Sequence, residues 1–272
     1  MTQTLIMKFG GAAVSSPERF ASIADIILER KKTFKKIVVT VSAMGEMTDE
    51  LILLAQKVNA NPPRRELDML ISVGERVSIA LLAMALQAKG AEAKSFTGSQ
   101  SGIITSTDHA EAKVVDVRPH RLLPLLENEV IAVVAGFQGM STAGEITTLG
   151  RGGSDLSAVA LGVALNASHV EFYKDVLGIF DCDPKINPNA QLLPELSFED
   201  ALKIMQNGAQ VLQARCVQLA QKNNLNLHVL PFAPPTVGLF GTWIKNPETH
   251  TKNTSDEYLV GNKDTCRKHF ET

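Results

Sequence analysis

Apolar residues recur along the chain in two alternating patterns. Short, nearly continuous runs read as strands buried on both faces: TLIMKF (4–9), KIVVTVSA (36–43), VIAVVAGF (130–137), HVEFYKDV (169–176) and LNLHVLPF (225–232). Longer stretches between them carry apolar residues three and four apart and read as helices. These are SPERFASIADIILERKK (16–32), TDELILLAQKV (48–58), ELDMLISVGERVSIALLAMALQAKG (66–90), GSDLSAVALGVALNA (153–167), SFEDALKIMQNG (197–208) and AQVLQARCVQLAQKNN (209–224). Ser16 followed by Pro17 marks the first helix start as N-cap and first position, and Gly90 marks a helix stop. Alternation of this kind predicts an α/β fold with a largely parallel sheet, whose ligands sit outside the carboxyl ends of the strands. That rule gathers three loops, 10–15, 42–48 and 137–155. The Pro- and Asn-rich loop DCDPKINPNAQLLPE (181–195) is long for a plain connector and reads as functional or partner-facing.

Length and charge narrow the class. The 272 residues suffice for one large domain or two intimate lobes with a real core. A formal net charge of -2 and 5% aromatic residues argue against nucleic acid or an anionic membrane as partner. The basic run RKKTFKK (30–36) reads as a solvated helix end. Three scattered cysteines, with no C-x-x-C pair, suit a reducing, cytoplasmic compartment. The first residues lack the pattern of a signal peptide, and no apolar run is long enough to predict a membrane span.

Four stretches carry candidate chemistry. KFGG (8–11) ends a strand and is expected to open a helix; its bare backbone and the Lys8 ammonium suit a phosphate, the alternative being a tight turn with a solvated lysine. TTLGRGGSD (147–155) offers Arg151 as a bidentate carboxylate clamp, Ser154 as a cap and hydroxyl, and Asp155 in a first helical turn. The alternative there is a capped helix after a flexible loop. SVGERVS (72–78) sets Glu75 and Arg76 in an apolar helix, paired or on its solvated side. VSAMGEMT (41–48) puts Ser42 and Thr48 around Gly45, which suits a small polar ligand. The histidines show no metal-ligand spacing and read as ordinary; DCD (181–183) reads as a loop cap rather than a cation site, and no metal ligands are assigned.

These motifs, in this order, resemble aspartate kinases of the amino acid kinase family. The resemblance runs from Lys8 to about Ile244 and also rests on DMLISVGERVS, SFTGSQSGI, VAGFQG, DPKINPNAQLL, LSFEDAL and GTWI. It implies a three-layer α/β/α sandwich over residues 1–244, with an amino-acid-binding lobe to about 140, a nucleotide-binding lobe over about 141–244, and a polar tail at 245–272. It also implies phosphoryl transfer from ATP with Mg2+ to the side chain of L-aspartate, in a cytoplasmic homodimer serving lysine, threonine and methionine synthesis. By position, Lys8, Gly10 and Gly11 resemble a phosphate cradle, and Ser42 and Thr48 substrate-side polar contacts. Glu75 resembles the acceptor of the substrate ammonium, and Arg151 and Ser154 the holders of its α-carboxylate. Asp155 resembles the carboxylate that orients the lysine and the reacting groups. Lys174, Asp175, Phe180, Lys185 and Gln210 fall on the family's nucleotide side.

The chain departs from the family pattern in four places. Ala12 and Ala13 replace Thr-Ser after KFGG. In KDVLGIFDCDPK (174–185), Lys174 replaces a hydroxyl residue, Leu177 an aspartate, Asp181 a threonine and Lys185 an arginine. In GAQVL (208–212), Gln210 replaces the lysine that meets the ATP phosphates, and Lys174 is the candidate to supply that charge. The chain stops about where the family's ACT domains begin, so feedback through them is not expected. Two rival readings remain beside aspartate phosphorylation: transfer to another small amino-carboxylate, and a non-catalytic, ligand-binding relative.

Overall fold

In a computed structural model, residues 3–209, 211–233 and 240–246 are described. The first half runs β1 (Thr4–Phe9), α1 (Pro17–Lys31), β2 (Lys36–Val41), α2 (Met47–Val58), α3 (Arg64–Ile71), α4 (Val73–Ala88), β3 (Ala93–Phe96), β4 (Ile103–Thr105), β5 (Val114–Val117), α5 (Leu123–Glu127), β6 (Ile131–Ala135) and β7 (Gln138–Ser141). The second half runs β8 (Ile146–Thr148), α6 (Gly153–Ala164), β9 (His169–Lys174), β10 (Ile179–Phe180), β11 (Leu192–Leu193), β12 (Glu195–Leu196), α7 (Phe198–Gln206), α8 (Ala214–Lys222), β13 (Asn226–Pro231) and β14 (Thr242–Ile244).

All five apolar runs become strands of one eight-stranded sheet, in the order β12-β14-β13-β9-β1-β2-β6-β3. From β13 to β3 every pairing is parallel; β14 joins β13 antiparallel, and β12 pairs with β14 in parallel at the edge. Such strands need cover on both faces, and they have it. On one face Leu5, Met7 and Phe9 pack with Ile23 and Ile27 of α1 and Leu82 and Leu86 of α4. On the other, Ile6, Val38 and Val134 pack with Ala158 and Leu161 of α6 and Val217 and Ala220 of α8. The result is the expected α/β/α sandwich with a mainly parallel sheet. Side chains alternate along a strand, so Lys8 shares the face of Ile6 and points towards α6. Position 8 lies between Thr40 of β2 and Phe172 of β9, at the carboxyl end of the central strands.

Local expectations fare unevenly. The stretch 66–90 is two helices, not one, joined through Ser72, whose backbone closes α3 and opens α4. Helix α8 begins only at Ala214, five residues later than the apolar pattern suggests. KFGG does not open a helix: Ala13 and Val14 donate to Gly10 O in a turn, and α1 starts at Pro17. Ser16 precedes it as N-cap, but its side chain caps nothing. Ser154 is not the cap of α6; Gly152 is, in the left-handed region at φ 73°. A second sheet, β5-β4-β7-β8, was not anticipated. Its strands have three or four residues, too few for a period to show.

Packing bears on two further expectations. The stretch Arg64–Ala88 is long and apolar enough to cross a membrane, but half of its apolar window is buried in the protein. Asp68 and Glu75 are buried along it with protein hydrogen-bond donors, which suits a core helix pair rather than lipid. Within the basic run, Arg30 is only partly solvated. Its guanidinium folds back on both oxygens of Glu171, which is fully buried, with Nε 3.0 Å from Oε2. His169, Glu171 and His228 offer three ligand atoms within 4.8 Å of one another. Arg30 and the Tyr173 hydroxyl already occupy that carboxylate, so the cluster is a paired buried charge.

Candidate active site

One cavity of about 1310 Å³ opens at the carboxyl ends of β1, β2 and β9, where an open parallel sheet is expected to bind. Lys8, Gly10, Gly11, Ser42, Thr48, Glu75, Arg151, Ser154, Asp155, Lys174, Asp175, Phe180 and Lys185 all line it. Gln210, the other residue singled out, lies outside the described residues.

Asp155 is the centre of charge. It sits in the first turn of α6, where the helix N-terminus favours an anion. Lys8 Nζ lies 2.5 Å from its Oδ1 and Lys174 Nζ 3.1 Å from its Oδ2. Burial opposes ionisation of Asp155, but the two ammonium groups outweigh it and hold the carboxyl below the usual carboxylate range. Burial draws the Lys8 ammonium below its ordinary range, and Asp155 pulls against it. Two cations on one carboxylate leave a net positive seat in the wall of the cavity, where Lys8 and Asp155 are buried. The α6 N-terminus, whose first residues line the cavity, adds to it in place of the α1 terminus expected from KFGG.

Glu75 defines a second, opposite pole. Gly74 lets α4 start directly under Ala43: a Cβ there would stand 2.7 Å from the Ala43 Cβ. The carboxyl next to it is thereby buried with Oε1 accepting from Ala43 N at 3.0 Å. Oε2 is buried and has no partner among the described residues. Burial pushes the Glu75 carboxyl up to about 7, against the Ala43 N–H and the Lys8 charge. A buried acceptor left open in this way is matched by a cationic hydrogen-bond donor.

Arg151 stands on the loop between β8 and α6, flanked by left-handed Gly150 and Gly152. Its side chain is exposed and bonds to no described residue. Gly152 is required twice over, by its φ and because a Cβ would lie 1.8 Å from Gln213 Cγ. Arg215 of α8 holds the loop, donating through Nη2 to Leu149 O and Arg151 O at 2.9 and 2.8 Å. The sequence reading missed Arg215, which has no motif around it. It also missed Phe137, which lines the cavity at φ 67° with its N–H on Ser157 Oγ. A non-glycine residue in that region is a sign of a functional constraint, visible only in the backbone.

The side of the cavity beyond Lys174 is more apolar, with Val176, Leu177, Ile179, Ile204 and Leu212 among its walls. Asp175 and Lys185 are exposed at its rim, and Phe180 is half-buried. A site with a cationic seat between a polar end and an apolar end can join a charged small molecule to a larger planar one through an anionic group.

The fold, the glycine turn and the lysine–aspartate centre define a class: the chain belongs to the amino acid kinase family, whose model matches residues 3–231. Within that family it is similar to aspartokinases. It is 50% identical over 226 residues to the aspartokinase of Mycolicibacterium smegmatis, covering 83% of this chain and 54% of that one. It is 46% identical over 225 residues to the aspartokinase of Bacillus sp. (strain MGA3), covering 83% and 55%. The chain thus spans about half the length of the curated relatives it matches. Among solved structures, aspartate kinase from Synechocystis superposes with a TM-score of 0.80 at 41% identity, over 92% of this chain and 40% of that one. E. coli aspartokinase III in complex with aspartate and ADP gives 0.80 at 25% identity, over 90% and 66%.

Proposed function

We propose that this chain transfers the γ-phosphoryl group of ATP, brought as its Mg2+ complex, to the side-chain carboxylate of L-aspartate, giving 4-phospho-L-aspartate and ADP. The observation that carries the reading is the pairing, in one cavity, of the buried, open Glu75 oxygen with the Lys8–Asp155–Lys174 seat. Aspartate has one ammonium and two carboxylates, and each finds a partner. Glu75 receives the ammonium. Arg151 and Ser154 take the α-carboxylate, and Ser42 and Thr48 add polar contacts. The side-chain carboxylate then faces the seat.

An aspartate side chain is ionised at neutral pH. Its oxygen attacks the γ-phosphorus directly, the bond to the β–γ bridging oxygen breaks, and the electron pair leaves with ADP. No proton has to move, so catalysis is positioning and charge neutralisation. Gly10 and Gly11 bring bare backbone to the phosphates, and Lys8 supplies a charge. Lys174, where the aspartate kinase pattern has a hydroxyl residue, supplies the second. Asp155 holds both ammonium groups apart and aimed. Asp175, Phe180, Lys185 and Gln210 stand on the nucleotide side, in the lobe over about 141–244, and the amino acid is met mainly from the lobe before it. Mg2+ arrives with the nucleotide and needs no dedicated protein cage. The reading extends to a cytoplasmic homodimer in amino-acid biosynthesis.

Trapping the acyl phosphate as a hydroxamate, across a panel of acidic amino acids, tests this reading. Product with aspartate alone is expected. Product with a different amino-carboxylate would move the acceptor, and no product with any would remove the activity.

A further inference from the structure

We infer that Asp68, which lies outside the cavity, is a positioning residue that fixes the spacing between Glu75 and Arg151. The geometry of the brace stands on its own; its consequence for an amino acid rests on the proposed function.

Asp68 is on α3 and fully buried. Its carboxylate accepts from Thr148 Oγ1 at 2.6 Å and His109 Nδ1 at 2.8 Å. It also accepts from Ala110 N, at 3.0 Å to Oδ2 and 3.2 Å to Oδ1. Thr148 ends β8, three residues before Arg151. Ala110 is held at φ 71°, and its carbonyl oxygen lies 3.2 Å from where a Cβ on Gly150 would stand. One side chain therefore fastens both the strand that delivers the arginine loop and the turn that backs it.

The other end of the brace is stiff. Asp68 and Glu75 are seven positions apart on α3 and α4, with helical backbone at the joining Ser72. Ser72 O takes a further bond from Gln138 Nε2 at 2.8 Å, tying the joint to β7 of the same small sheet. The Arg151 loop has its own second fastening, from Arg215. Arg151 makes no side-chain bond to a described residue, so the path of its backbone sets where its guanidinium can reach.

A carboxylate is a costly way to fill a buried site, and apolar packing would hold α3 against β8 as well. What it adds is direction. Several donors converging on one anion fix distance and angle together, with charge-assisted bonds stronger than neutral ones. For a ligand held at both ends, a small change in that spacing weakens binding with no contact removed.

The test uses Asp68→Asn, which keeps shape and loses charge, Arg151→Ala, and their combination. Native-state hydrogen exchange reads the brace directly. In Asp68→Asn, the amides of Leu149 and Gly153, bonded to Phe137 O and Gly150 O, should exchange faster. Those of β1 and β2 should not. Calorimetry with L-aspartate should show affinity reduced about tenfold in Asp68→Asn, the effect of one or two weakened charge-assisted bonds. The double variant should bind no more weakly than Arg151→Ala alone, because Asp68 acts through Arg151. MgATP binding should fall less than aspartate binding, since Lys8 and Lys174 are held by Asp155 rather than by Asp68. Thr148→Val removes a single bond and should show the same exchange pattern, smaller, if Asp68→Asn folds poorly. Unchanged exchange at Leu149 and Gly153 overturns the inference whatever the ligand, and so does an additive double variant. No aspartate binding to the unaltered chain overturns the functional reading, while the exchange result still decides the brace.

Discussion

Glu75 and Lys174 are the residues on which the proposed chemistry turns, and each gives a prediction. Glu75 has its carboxyl raised by burial to about 7. The folded chain therefore holds a proton there that the unfolded chain has lost, and stability falls as pH rises from about 4.5 to about 7. Glu75→Gln removes that penalty. At pH 8, without ligand, it should melt higher by the equivalent of up to about 3 kcal/mol, while aspartate affinity falls by about 10²-fold or more. Calorimetry at pH 6 and 8 checks the wild type: affinity should drop about tenfold per unit below pH 7 as Glu75 takes up its proton. Lys174→Ala should lower kcat by about 10²–10³, as for loss of one electrostatic contact to a transferring group. Full turnover in that variant would remove Lys174 from the reaction. At this scale the sequence was informative wherever a residue type is rare in its surroundings: an arginine among glycines, a glutamate in an apolar helix. It was silent on Asp68 and Arg215, whose partners lie 41 to 80 and 64 to 66 positions away.

Elements were legible when long. Each of the five apolar runs is a strand, and β1 matches its predicted range residue for residue. What failed were joints and short pieces, since a helix broken at Ser72 keeps the same apolar period on both sides. Gly152 is the joint on which α6 depends. Gly152→Ala must adopt a strained φ and push aside Gln213, and should destabilise by more than about 1 kcal/mol in thermal melts, with loss of aspartate binding. Arg30 makes the corresponding point for α1 against β9. Its removal leaves the Glu171 charge buried with only the Tyr173 hydroxyl and His169 as partners, so Arg30→Met should destabilise at pH 7 by about 2–4 kcal/mol, somewhat below a fully enclosed pair because Arg30 is partly exposed. Burial opposes ionisation of Glu171, but His169, Arg30 and Tyr173 together outweigh it and hold the carboxyl below its ordinary range. The loss should accordingly shrink as pH falls through the carboxylate range and Glu171 takes up its proton. An equal loss at pH 3.5 and 7 would deny the pair its role.

For the whole molecule, the outer side of the α2–α4 layer carries the remaining prediction. Helix α2 has no buried residue, yet Leu53, Leu54 and Val58 are more than half exposed, and Met84 of α4 is 61% exposed. Glu50 and Lys57 flank these leucines on the same helix, so an apolar centre with a charge of each sign beside it suits a second copy of the chain related by two-fold symmetry. Sedimentation should give a dimer that Leu54→Glu converts to monomer; an unaltered chain sedimenting as a monomer would reject that assembly. Periodicity by itself determined the layers of this protein, because burial on both faces demands continuous apolar strands and amphipathic cover. The same residues raised the expectation that an anion, an ammonium and a carboxylate could be met, because glycine, lysine, glutamate and arginine supply the bare backbone and the charges such a ligand needs. Only the tertiary structure decided where those groups stand. It put Lys174 beside Lys8 on one aspartate, chose the α6 terminus over α1, and braced Glu75 against Arg151 through Asp68. Such distances belong to contacts between segments far apart in the chain, and no local pattern records them.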